Sequence, residues 1–550
     1  MWIRHTSWRR DHRISWRNGS KKDFKGLVVG HYDIIVVGGG LNSLVSSSIL
    51  GKSGKKVLIL EAKDQVGGMA VTAEFASQYK CNMLNDTIKW IDPRVMKQLD
   101  LVSEGLELVS PDVVRIALDQ NGHHISFHQD SNQTAKSIAN HSDKDAKSWQ
   151  AFTTYIDNLS QFLEKLYELT PPKLPNLGLK EALSLRSMLK PIKKHGTRGL
   201  VDFMRVAPMM MPELMDEWFE SELLRGAVST AGINHINLGP FSAATGYNLL
   251  HQHVHANGVF HYIQFVKGGT ENLANALLKS AVSNGVEVRK NAVVHSINVA
   301  NAICSGITLN DGETIEAGQV VSGLDPQNTF INLVGPSELN PTFYTQLRNI
   351  KYRGSVARIH FALNALPEIK GVTEDQMNTV FSISPSIEYL ERAADDAKYG
   401  RISENPYIEF TFPSVHNSNF APEGKHVLSA TLQYAPYHLR GQDWSDDLKE
   451  QLKNNVIRNL ENYIPKITSM IESTYILSPK DLEDKFGLTE GNLNHGEMTL
   501  DQFFFMRPTI SAAQYKSPIE NLYLCGKGTH PGGGLHITNG FNAAREILKA

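Results

Sequence analysis

Three cysteines in 550 residues, Cys81, Cys304 and Cys525, are too few and too far apart for a disulfide framework. There is no C-x-x-C, so a redox dithiol of that type is excluded. The bland reading of all three is buried small hydrophobes. No run of about 18 uninterrupted apolar residues occurs, which argues against a transmembrane helix. A peripheral membrane contact stays open. Charge is not lopsided either: the net charge is −2, with 20% charged and 41% hydrophobic residues. That balance makes no case for nucleic acid as a partner. No H-E-x-x-H helix pattern occurs, and no metal site is expected. HQHVHA alternates His251, His253 and His255 as one face of a strand would. Tandem repeats are absent too.

What is present begins with a basic leader. Residues 1–30 carry eight Lys or Arg against Asp11 and Asp23. An Arg-rich, acid-poor leader before a folded domain is expected to be a mitochondrial presequence, which places the protein in the mitochondrial matrix. A disordered basic tail on a cytoplasmic protein is the alternative.

After the leader, DIIVVGG (33–39) reads as a buried parallel strand, 42–53 as a helix stopped by Gly54, and KVLILEA (56–62) as a second strand. This is the opening unit of a doubly wound fold. Its turn is G-x-G-x-x-S: Gly38 and Gly40 stand where a diphosphate needs close backbone approach, and Ser43 replaces the third glycine. That glycine serves helix–strand packing, so Ser43 is expected to displace the helix slightly, at roughly 1 kcal/mol. Glu61 ends the second strand, where a carboxylate binds ribose hydroxyls.

The middle of the chain is different. Residues 148–169 set Trp149, Phe152, Ile156, Leu159, Phe162, Leu163 and Leu166 at helical spacing. The methionines of MRVAPMMMPELM either line an adaptable apolar pocket or are plain core. SVARIHFAL, YIEFTFPS and HVLSATLQYA are strand candidates for a second sheet, and 446–464 reads as a helix. Nucleotide-domain texture returns at 268–326 and at 521–548. The expected fold is α/β (α+β overall). A Rossmann-like cofactor domain is built from residues 31–110, 259–335 and 500–550. A substrate domain of mixed sheet and helices, residues 111–258 and 336–499, is inserted into it.

Two further stretches are specific. AKDQVGGMAVT supplies Gly67 and Gly68 shortly after Glu61, and CGKGTHPGGGLHITNGFNAA supplies Gly526 through Gly534 before a helix. With VVSGLDPQNTF and SPKDLEDKFGLTEGNLNHGEMTLDQFFFMRP, they make residues 31–550 resemble the phytoene desaturase, or carotenoid and retinoid oxidoreductase, family of FAD proteins. The resemblance implies a bound FAD. Its contacts would be Gly38, Gly39, Gly40, Leu41 and Asn42 in the turn, then Glu61, Ala62, Gly67, Gly68 and Met69. Val294 would meet adenine, and Gly526, Gly534, His536 and Ile537 would meet the flavin. It also implies an oxidoreductase that moves hydride from an apolar small molecule to flavin N5 and then to dioxygen or a quinone. His495 and His530 are the candidate catalytic residues, to orient substrate or tune the flavin. Against the family pattern, Lys527 puts a charge beside the cofactor loop, and Ile537 adds bulk where backbone would approach the flavin. Those departures keep a second reading open: FAD as a structural element of a regulatory or scaffolding protein, with a mitochondrial protein partner and little turnover. An NAD dehydrogenase is disfavoured by the C-terminal loop.

Overall fold

The computed structural model describes residues 28–173, 178, 186 and 189–549. The basic leader up to residue 27 lies outside the described residues. Among those described, two seven-stranded sheets organise the chain.

The first sheet grows from the apolar run after His31. Ile34, Ile35 and Val36 are fully buried, as expected for a strand covered on both faces. The strand Val28–Val37 pairs in parallel with Val57–Leu60 on one side and Thr314–Ser322 on the other. Glu287–Arg289 extends the parallel set. Thr314–Ser322 splits its pairing: its start joins an antiparallel meander with Ile303–Leu309 and Val294–Ala300, and its end pairs in parallel with Leu522–Leu524. The C-terminal strand therefore lies one strand away from the first, which brings residues 36–43 and 524–540 together.

The helix after the first strand spans Leu41–Lys52, and every residue from Leu41 to Leu50 is buried. It packs on Glu271–Ser283 and on the C-terminal helix Thr538–Ile547. The latter contact depends on Gly540: a Cβ there would lie 2.1 Å from the Asn42 carbonyl. Ser43 is fully buried, with its hydroxyl 3.7 Å from Cys525 Sγ. The room comes from Gly323, whose missing Cβ would fall 2.0 Å from Ser43 Oγ. The glycine absent from the fingerprint is thus supplied by the neighbouring strand, and the helix still packs.

The second sheet runs Ile471–Leu477, Val356–Leu363, His426–Gln433, Tyr407–Thr411, Val380–Ile383, Val113–Ala117, Ile125–His128, antiparallel except where Val380–Ile383 meets Val113–Ala117. All three expected strands of 355–435 are in it. One face carries a helical layer centred on Asp143–Tyr167, whose seven expected apolar residues are all buried. Met211 and Met215 belong to this core and line no cavity described below. The three alternating histidines are not on a strand. His251 ends the helix Thr245–Gln252, and His253 and His255 follow in turns. His253 spends its Nδ1 on the Leu249 carbonyl at 2.7 Å, a helix-end contact that period-two counting cannot anticipate.

Candidate functional site

A cavity of about 480 Å³ opens at the carboxyl ends of the parallel strands, where doubly wound folds bind ligands. The turn residues Gly38 to Ser43 line it. Gly38 has φ +87°, which a side chain would strain. At Gly40 a Cβ would meet nothing within 4 Å, because that side faces the cavity. The Leu41–Lys52 helix has no side-chain cap at its start and no acid in its first turn. Its first N–H groups and its positive dipole end are therefore free to take an anion.

Glu61 borders the same cavity. Its carboxylate accepts from Gly39 N–H at 2.7 Å and Lys63 N–H at 2.9 Å, which fixes it at the strand end with lone pairs to spare. Ala62, Gly67, Gly68 and Met69 lie alongside. Gly67 and Gly68 both have positive φ, and Gly67 N–H donates to the Gly39 carbonyl at 2.8 Å, tying the second glycine pair to the first. Val294 lines the end near Glu61, and Gly526 lines the opposite wall. Asn42 lines the cavity too, but its Oδ1 accepts from Gly540 N–H at 3.0 Å and so joins two helices. An open glycine cradle, uncapped helix N–H donors and a fixed carboxylate are the donor set that a dinucleotide such as FAD requires.

A second, smaller cavity of about 90 Å³ adjoins the first. Met69, Lys527 and Leu535 line both. Gly534 and His536 line only the second. The His536 ring stacks on Trp90, with centroids 4.5 Å apart and planes 10° apart. Its Nε2 is buried and has no partner among the described residues.

Two expectations change here. Ile537 lines neither cavity. It is 1% exposed, caps the C-terminal helix at φ +56° and sits in the apolar core under the first sheet, so its bulk does not crowd a flavin. His530 also lines neither. It donates from Nε2 to the Leu166 carbonyl at 3.0 Å between the rings of Tyr167 and Phe504, a structural hydrogen bond rather than a catalytic position. His495 lines the first cavity, the place from which it could tune a flavin rather than orient a substrate in the second. Burial, reinforced by Lys527 and Arg507, lowers its pKa to about 3, so it stays neutral there.

Lys527 is buried, and its ammonium donates to Met69 Sδ at 3.2 Å. Burial brings its pKa from 10.5 down to about 7. Below pH 7 it is protonated whether folded or not, and folding bears the full cost of burying a cation. Between pH 7 and 10.5 the unfolded chain holds more protons, so stability rises with pH. Urea unfolding of flavin-free protein should therefore show Lys527→Met more stable than the parent at pH 6.5 by roughly 1–3 kcal/mol, with the gap narrowing by pH 9. An equal gap at both pH values would refute this.

Sequence reasoning missed much of the lining. Asp325 and Asn328 of VVSGLDPQN and Phe486 beside Lys63 close the first cavity. Lys89, Trp90, His235, Arg358 and Glu409 wall the second. That wall mixes charged and polar groups with apolar ones such as Leu84, Ile88 and Phe410.

The comparisons agree with the cradle. A family model described as flavin containing amine oxidoreductase matches residues 44–548. The pyridine nucleotide-disulfide oxidoreductase domain-containing protein 2 of Rattus norvegicus is 30% identical over 95% of this chain and 94% of its own length. The disulfide part of that name has no counterpart here, where all three cysteines are buried as free thiols. Phytoene desaturase of Fusarium fujikuroi is 25% identical over 94% of this chain and 89% of that protein. Among solved structures, an oxidoreductase from Methanosarcina mazei superposes with a TM-score of 0.56 at 12% identity, covering 95% of this chain and all of that one.

Proposed function

Since the chain belongs to the flavin-containing amine oxidoreductase family, and is a flavin oxidoreductase of that kind, we propose that FAD fills the larger cavity and that a substrate in the smaller one gives up hydride to flavin N5. The observation that carries this is the shared wall of Met69, Lys527 and Leu535, where the two cavities meet. Bound FAD would supply a two-electron acceptor that dioxygen or a quinone reoxidises.

The protein's own part is binding and electrostatics. Gly38 to Gly40 and the first turn of Leu41–Lys52 would hold the diphosphate, and Glu61 the adenosine ribose. The C-terminal helix starts at Thr538, two residues after His536, and its positive end favours negative charge developing on a reduced ring. Burial of Trp90 and His536 keeps water from that edge.

The test is a flavin spectrum of the purified protein followed by anaerobic mixing with candidate substrates. Bleaching by one chemical class supports the reading. No flavin absorbance after FAD reconstitution would sink it, and a flavin that light reduces but no metabolite extract does would favour the structural role instead. We also infer a mitochondrial location, supported by the composition of residues 1–30. A carboxy-terminal fluorescent fusion should lose mitochondrial import when those residues are removed, and unchanged import would reject the inference.

A further inference from the structure

The wall of the second cavity holds more positive than negative charge. Asp86 pairs with Arg358 at 2.7 Å, and Glu409 pairs with Arg115 at 2.5 Å. Burial would raise the Glu409 carboxyl, but Arg115 and Lys89 outweigh it and hold the pKa at about 2. Each acid is therefore matched by an arginine. Lys89 and Lys527 remain. Neither has a carboxylate within ion-pair distance among the described residues, and Lys89 has no hydrogen-bond acceptor among them. Burial first, then Arg115, lowers Lys89 to about 8 against the pull of Glu409, so it is mainly cationic at neutral pH. His235 and His251 are brought to about 4 by burial and add no charge. The unpartnered His536 Nε2 is a further polar atom facing this space.

Lys89 is half-buried, and it lines the cavity with no carboxylate paired to its ammonium, so an anion placed against it gains a charge-assisted contact that nothing else there supplies. An apolar molecule would leave Lys89 bare, and an amine would be repelled. About 90 Å³ accommodates roughly six to nine water-sized positions. We propose that this cavity binds a small carboxylate-bearing substrate, with its carboxylate on Lys89 and its oxidisable end toward the Met69–Lys527–Leu535 junction. The proposal rests on the preceding reading of the cavity as the substrate site.

The experiment is calorimetric titration of FAD-loaded and flavin-free protein with butyrate, butyramide and butylamine. Butyrate should bind at least tenfold tighter than butyramide, and butylamine weakest. Lys89→Met should erase the butyrate preference, Lys89→Arg should keep it, and raising the pH from 7 to 9 should weaken butyrate alone. Equal butyrate and butyramide affinities, tighter butylamine, or an unchanged preference in Lys89→Met would overturn the proposal. If Lys89→Met does not fold, the wild-type preference and its pH dependence decide. Because flavin-free protein is titrated too, a carboxylate preference in protein that takes up no FAD would sink the flavin reading alone. FAD uptake without that preference would sink this proposal alone.

Discussion

Gly40→Val will yield a folded protein that does not hold flavin. Gly40 has φ −69° and ψ 167°, extended backbone that valine adopts readily. A Cβ there meets no protein atom within 4 Å. The added methyl groups would project into the cradle, into the space a diphosphate needs beside the helix N-terminus. FAD affinity should fall at least a hundredfold, about 2.8 kcal/mol, while the urea midpoint of flavin-free protein stays close to the parent. Gly39→Val is the contrast. Its Cβ would strike Val66 at 2.9 Å and Glu61 Oε2 at 3.0 Å, so the fold itself suffers. Flavin retained by Gly40→Val at parental affinity would show that the larger cavity is not the cofactor site.

That contrast also shows which parts of the site were readable in advance. Gly38, Gly40 and Glu61 were legible because a diphosphate and a ribose constrain residue type and spacing within one local strand–turn–helix–strand unit. Gly67 and Gly68 were legible only through the resemblance, and the structure then ties Gly67 N–H to the Gly39 carbonyl. His536 and Ile537 looked alike in sequence, yet one faces a cavity and the other the core. Ile537 is the αL cap of the helix that starts at Thr538, and that turn in the backbone separates their directions. The second cavity was not legible. Lys89 lies in an irregular loop, Arg358 and Glu409 on two different strands of the second sheet, and His235 just past a helix. Their meeting is a product of tertiary packing across separated segments, so no local spacing records it. The apolar substrate followed from the resemblance, and these charges of the second cavity were not part of that reading.

Arg507 carries the other large expected effect. It is fully buried and has no acid partner among the described residues. Nη2 donates to the carbonyls of Asn494 at 2.7 Å, Lys527 at 3.0 Å and Gly496 at 3.1 Å, and Nη1 to those of Glu497 at 3.1 Å and Gln502 at 3.4 Å. One guanidinium thereby organises the loop 494–502 and ties it to the backbone of Lys527, between the two cavities. Burial lowers its pKa only to about 10, so it remains a cation. Arg507→Met should leave several buried carbonyls unmet at once and cost about 4 kcal/mol in urea unfolding, well above a typical substitution. Arg507→Lys should recover little, because a single ammonium cannot reach acceptors spread across a planar fork. A loss under about 1 kcal/mol for Arg507→Met would mean that the carbonyls find other donors and that the loop does not depend on this residue. In sequence, FFFMRP was only a family marker. Its role stayed hidden because the arginine's partners are backbone carbonyls, which every residue carries and no motif records. The same loop presents His495 to the cofactor cradle and Asn494 to the second cavity. Arg507→Met should therefore disturb flavin binding and carboxylate binding together, whereas Gly40→Val strikes the first and Lys89→Met the second.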